Sequence, residues 1–271
     1  MGSGSVGEIK VEGRRLAWRT VGSGAPLLLV NGYAATAADW DPAFLDGLAE
    51  SFEVICPDNR GVGGSELGDG ELTIDGMAAD LEALLDALGI ERAAVVGWSM
   101  GGFVAQQLAE RAPTQVSALA LLATDSGGPE AVPATPGDWA RLVDHSGTPR
   151  EQATRLISLL FPADLAEEID RQFGEAVAAA RAGLSPTVLA AQEAAMEAWH
   201  REPRGESEGV KGLPVLVAHG SLDAVIPPAN AGMLAARFPG AVVEVFDGCG
   251  HALMAQQPQR LAELIIAHVG S

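Results

Sequence analysis

The chain has 271 residues and a formal net charge of −19, from 36 acidic against 17 basic side chains. That surplus repels nucleic acid and anionic membrane surfaces, which attract basic patches. The length suits one large α/β core with an insertion, and two isolated cysteines, Cys56 and Cys249, read as reduced thiols rather than a disulfide framework.

Met1 to Ser5 is polar and glycine-rich, with no basic start leading into an apolar segment, so no secretory signal is expected. No apolar run reaches the ~18 residues of a membrane span, and cytoplasmic residence is the default expectation. Residues 7–21 read as an opening hairpin that turns at Glu12-Gly13. Leu27 to Val30 is an apolar strand running into Asn31-Gly32-Tyr33, and Glu53 to Cys56 runs into Asp58-Asn59-Arg60-Gly61-Val62-Gly63-Gly64-Ser65. Thr73 to Leu88 places Ile74, Met77, Leu81, Leu84, Leu85 and Leu88 on one face of a helix that Gly89 stops. Ala93 to Val96 gives way, through Gly97-Trp98-Ser99-Met100-Gly101, to the helical pattern Phe103 to Leu108, and Val116 to Ala123 is the next strand. This alternation implies a parallel sheet covered on both faces.

The pattern then breaks. Over 126–212 Pro- and Gly-rich turns separate helical segments near 139–144, 149–160, 163–182 and 186–200, and Glu202 to Gly209 is a polar return to the sheet. Buried strands resume at Leu213 to Ala218 and at Ala241 to Phe246. The first runs into His219-Gly220-Ser221-Leu222-Asp223, the second into Asp247-Gly248-Cys249-Gly250-His251.

The G-x-S-x-G pentapeptide at a strand-to-helix junction holds a serine on a sharp turn, its hydroxyl exposed beside the first N–H groups of a helix. A serine hydroxyl is a poor nucleophile until an imidazole takes its proton and a carboxylate orients that imidazole. Asp223 and His251 supply such partners, in the chain order Ser99, Asp223, His251. Asp125, at the end of the preceding strand, is the alternative place for the acid. Asp58 and Arg60 read as braces of the loop around Gly61. His145, His200, His219 and His268 lack metal-ligand spacing, no G-x-G-x-x-G follows the first strand and no Walker motif is present, so neither a metal nor a cofactor is expected.

With Asn31-Gly32-Tyr33, the Asp58 to Ser65 segment, the serine elbow, Gly220 to Asp223 and Gly248 to His251 in this order, the chain resembles the α/β-hydrolase superfamily over nearly its whole length. Within it, the Ser-Met-Gly-Gly elbow is similar to the enol-lactonase, cofactor-free haloperoxidase and small carboxylesterase group. The resemblance implies a mostly parallel sheet with an antiparallel N-terminal edge, helices on both faces and an inserted helical cap. Residues 6–125 and 213–271 would form the core and 126–212 the cap. It also implies an oxyanion hole made by the backbone N–H groups of Tyr33 and Met100. Asn31 stands where relatives usually carry histidine, and its expected role is to hold that loop through hydrogen bonds to nearby backbone.

Trp98, Trp139, Leu160, Phe161 and Trp199 are the expected walls of a pocket between cap and sheet, suited to an apolar, uncharged acyl or alcohol group. The expected chemistry is two-step acyl transfer on an ester or lactone, with perhydrolysis as a side activity. C–C bond cleavage by the same triad is the alternative enzyme, and a small-molecule receptor with little turnover is the alternative outside catalysis. The sequence leaves the oligomeric state open.

Overall fold

The computed structural model describes residues 4–205 and 208–270; Met1 to Ser3 and two residues of the polar return, 206 and 207, lie outside the described residues. Strands β1 (Val6–Val11) and β2 (Arg14–Gly22) pair antiparallel across Glu12 and Gly13, whose φ values of 48° and 87° give the doubly left-handed turn that matches strand twist. They are followed by β3 (Ala25–Val30), β4 (Phe52–Pro57), β5 (Ala93–Trp98), β6 (Val116–Leu122), β7 (Val215–Gly220) and β8 (Val242–Phe246). The sheet order is β1-β2-β4-β3-β5-β6-β7-β8, with β2 antiparallel to β4 and every later pair parallel.

The helices are α1 (Pro42–Ala49), α2 (Ile74–Ala87), α3 (Met100–Arg111), α4 (Pro136–Leu142), α5 (Pro149–Leu160), α6 (Ala163–Ala182), α7 (Pro186–Arg201), α8 (Asn230–Arg237), α9 (Leu253–Gln256) and α10 (Pro258–Val269). Strand alternation sends side chains to two cores. Leu28, Val30, Val95, Leu119 and Leu121 pack with α2, α3 and α8, while Leu27, Leu29, Val96, Ala120 and Leu122 pack with α1 and α10. Covering both faces is why the interior strands are continuous apolar runs. The edge strand β8 differs: it reads as buried in the sequence, yet Val242, Val243 and Val245 are exposed, because no ninth strand or helix covers its outer side among the described residues.

Four helices, α4 to α7, stand between the adjacent strands β6 and β7. The first two starts are written locally. Thr135 accepts from Asp138 N and Pro136 occupies the first turn, so α4 begins before the residue 139 expected from sequence. Thr148 and Glu151 form a reciprocal capping box for α5. Arg150 grips Asp170 at 2.7 and 2.9 Å, tying α5 to α6. Among the described residues, no helix is long and apolar enough to cross a membrane.

Candidate active site

Ser99 sits between β5 and α3 with φ 56° and ψ −125°, a conformation that costs a non-glycine residue about 1–3 kcal/mol and needs surrounding structure to hold it. That structure is hydrogen bonding on both sides of the residue. Ser99 N donates to Leu122 O at 3.0 Å, and its carbonyl accepts from Thr124 Oγ1 and Gly102 N at 2.8 Å each. The flanking glycines answer to crowding: a Cβ on Gly97 would strike the Gly101 carbonyl, and one on Gly101 the Val30 carbonyl. Met100 opens α3, so its N–H has no acceptor within the helix and is free for another. Its side chain is fully buried, leaving the backbone as its contribution.

Asp223 follows β7 and His251 follows β8. Asp223 Oδ1 accepts from Val225 N and Ile226 N, both at 2.9 Å, which turns Oδ2 toward His251, whose Nδ1 donates to it at 2.8 Å. That bond leaves Nε2 of the imidazole as the proton acceptor. Burial alone would raise the Asp223 pKa, but the charges and hydrogen bonds of His251 and His219 outweigh it and hold the carboxyl at about 2. Trp98 Nε1 donates to the His251 carbonyl at 3.0 Å and the two rings lie 5.3 Å apart, fixing the imidazole from the other side. His219, fully buried, donates Nε2–H to Ile226 O at 2.8 Å and lies 3.4 Å from Asp223 Oδ2; only its place in the loop, not its spacing, marked it in the sequence.

Asp125 meets other partners. Its Oδ1 accepts from Gly127 N at 2.8 Å and from Trp199 Nε1 at 3.3 Å, and its Oδ2 from His200 Nε2 at 2.9 Å. Of the two candidate acids, the one brought to His251 is Asp223.

In the loop after β3, Asn31 Nδ2 donates to Thr36 O at 2.6 Å, its Oδ1 accepts from Gly32 N at 2.9 Å, and its carbonyl accepts from Asn59 Nδ2 at 2.8 Å. The cap reaches this loop twice: Ala34 N donates to Gln192 Oε1 at 2.9 Å, and the Tyr33 hydroxyl donates to Glu193, which also binds His145 Nε2 at 2.6 Å. Burial and the Glu193 carboxylate push the Tyr33 phenol well above its ordinary range, so it stays protonated. Asp58 accepts from Ala37 N and Gly64 N, and Arg60 grips Asp80 at 2.8 Å through two nitrogens. Both are spent on loop structure.

A cavity of about 1500 Å³ lies between strand ends and cap, and Tyr33, Trp98, Ser99, Trp139, Leu160, Phe161 and His251 all line it. Trp199, expected there, is not on its wall. It stacks on Phe103 at 5.2 Å, hydrogen-bonds Asp125 and is covered by the Arg204 guanidinium at 4.0 Å, so its area is consumed in seating α7 on the core. The wall is also not uncharged, as Arg181 of α6 faces the cavity. Among the described residues, no cluster of three or more His, Cys, Asp or Glu side chains is placed to hold a metal ion.

Residues 25–258 match the family model described as alpha/beta hydrolase fold. A 2-hydroxymuconate semialdehyde hydrolase from a Pseudomonas species is 30% identical, over 95% of this chain and 91% of its own. Among solved structures, a hydrolase from Pseudomonas aeruginosa has a TM-score of 0.82 at 26% identity, covering 98% of both chains. The enol-lactonase from Burkholderia xenovorans has a TM-score of 0.83 at 24% identity, covering 98% of this chain and 100% of its own, a likeness of fold.

Proposed function

The chain belongs to the alpha/beta hydrolase fold family, and we propose that within it the chain is a serine hydrolase cleaving an ester or lactone of a largely apolar small molecule. The observation that carries this reading is the 2.8 Å bond from His251 Nδ1 to Asp223 Oδ2, in the cavity that Ser99 enters from its strained turn. Ser99 Oγ attacks the carbonyl carbon while His251 Nε2 takes its proton. The N–H groups of Tyr33 and Met100 hold the negative charge that develops on the carbonyl oxygen. The imidazolium, steadied by Asp223, passes its proton to the departing alkoxide as the ester C–O bond breaks. Water then attacks the acyl-serine with the same proton path, and the acid is released.

The test is turnover of a panel of p-nitrophenyl esters, with mass spectrometry of the protein during a slow ester's reaction. The expected result is an acyl adduct on Ser99 and loss of turnover in Ser99→Ala; turnover that survives this change sinks the proposal. A second reading, cleavage of a C–C bond beside a carbonyl by the same three residues, is supported by the 30% identity to the 2-hydroxymuconate semialdehyde hydrolase. A β-diketone turned over faster than every ester would favour it.

A further inference from the structure

Arg181 lies in the last turn of α6, 9% exposed, on the cap wall of the cavity. Among the described residues no hydrogen bond or ion pair engages its side chain, and its Nε is a buried donor without an acceptor. The acids that share the cavity wall are all occupied. Asp39 accepts from Thr36 N, Asp41 from Phe44 N and Asp125 from His200, while Glu197 pairs with Arg201. The charged or titratable groups close enough to act on Arg181 are Tyr33, whose proton is held, and Arg155, a second cation. Burial accordingly lowers the Arg181 pKa, the opposite of what a carboxylate neighbour does.

A buried cation without a counter-charge is costly, and a neutral apolar substrate would raise that cost by displacing whatever water reaches the guanidinium. An anion in the same place removes it. We infer that Arg181 is a subsite for a carboxylate carried by the substrate, so that the molecule cleaved has an ester or lactone at one end and an acid group at the cap wall. One planar guanidinium matches one carboxylate in charge and in its paired donors, whereas a phosphate dianion would leave a negative charge in an apolar chamber of an acidic protein. The kinetic arm of the test rests on the serine-hydrolase reading; the binding arm does not.

The kinetic probes are p-nitrophenyl hexanoate and the mono-p-nitrophenyl ester of adipic acid, matched in length and differing in the terminal carboxylate. In Arg181→Met the ratio of kcat/KM for the acid ester over the neutral ester should fall on the order of 100-fold, as when one partner of a buried charge pair is truncated. Arg181→Lys should recover part of that ratio, and Arg181→Met should melt no lower than the unaltered chain. An unchanged ratio overturns the inference, with or without a fall in stability. If neither ester is turned over, Ser99→Ala is melted with monomethyl adipate and with dimethyl adipate. Stabilisation by the half-ester alone, abolished by adding Arg181→Met, supports the subsite even though the hydrolase reading has failed; equal shifts or none overturn it.

Discussion

The strand ends that carry Ser99, Asp223 and His251 and the helices that face them across the cavity differ in what fixes their side chains. In the core most of the anchoring bonds have a main-chain group on at least one side. Asp223 is aimed by two backbone N–H groups, the Ser99 carbonyl is held by Thr124 and Gly102, and Asn31 spends its amide on Thr36 O and Gly32 N. The cap meets this core mostly through side chains, Gln192 and Glu193 on the β3 loop and Trp199 and His200 on Asp125, with one main-chain bond beside His251, from Ala252 N to Leu160 O at 3.1 Å. Within the cap, surface pairs join α5 to α6 through Arg150–Asp170 and α5 to the segment after α4 through Arg155–Asp144. Geometry anchored in backbone survives changes in neighbouring side chains, so the proposed chemistry is fixed below the cavity while its upper wall is free to change what is admitted.

Mutations that erase the difference between the two regions test it most severely. Ser99→Ala or His251→Ala should each lower ester turnover by about 10⁴- to 10⁶-fold, and the double variant should be scarcely worse, because residues acting as a unit are strongly non-additive. Additive losses, measured by kcat of the purified variants, would dissolve the unit. Asp223→Asn should cost about 10⁴-fold by offering the imidazole the wrong partner. Asp125→Asn should leave kcat within about tenfold, since it loosens a cap contact worth on the order of 1 kcal/mol. The reverse ranking would move the acid to the end of β6.

Asn31→Ala removes two loop hydrogen bonds of about 1 kcal/mol each, an expected loss of roughly 10- to 30-fold in kcat, whereas an oxyanion donor is worth about 10²- to 10³-fold. Asn31→His should lose less. A loss beyond a hundredfold with unchanged KM would place the side-chain amide on the reacting oxygen. Glu193→Gln, on the cap side of the same loop, should raise KM about fivefold with kcat nearly constant, the scale of one weakened hydrogen bond. A fall in kcat instead would make the cap part of the catalytic geometry.

The smallest effect is a pH dependence. Burial alone would lower the His200 pKa, but the hydrogen bond and charge of Asp125 outweigh it and raise it. Its contribution is therefore complete below the unfolded value of about 6.5 and lost as pH rises through the raised folded value. Thermal melts from pH 5 to 9 should show the unaltered chain losing its advantage over His200→Gln across that rise. A constant difference would detach the cap's seat from this proton.

Most of the core was legible because its signals are local. The hairpin at Glu12-Gly13, the α2 face ending at Gly89, and the apolar strands leading into Asn31, Ser99, Asp223 and His251 each follow from residues within one window. The chain order of those four loops also follows from sequence. What escaped depends on who sits opposite. Three exposed valines of β8 look like a buried strand until the sheet is known to end there. Trp199 looks like a pocket residue until Phe103 and Arg204 are seen on its two sides. Arg181 reads as one more polar position on an alanine-rich helix, and nothing within its own turn announces that it is buried on the wall of the cavity. Helices α1, α8 and α10 carry no marker as sharp as the Thr73 to Gly89 frame, and their apolar faces gain meaning only against the cores they cover, α8 on the first and α1 and α10 on the second.

The placement of the cap between neighbouring strands has a consequence for how the site comes into being. Ser99 belongs to β5, α3 and β6, consecutive in sequence, so its turn can form early from contacts of short range. Leu122 of β6 pairs in register with Ala218 of β7, about a hundred residues further along, and that closure carries an entropy cost that the short connections before it avoid. The loops bearing Asp223 and His251 follow β7 and β8, and thus join the sheet after this gap has closed. A nascent chain therefore carries its serine unarmed, beside free helix N–H groups, until the cap has been synthesised and the last two strands have docked. On the proposed serine-hydrolase reading, reactivity arrives with completion of the fold, as a report that the C-terminal quarter is in place.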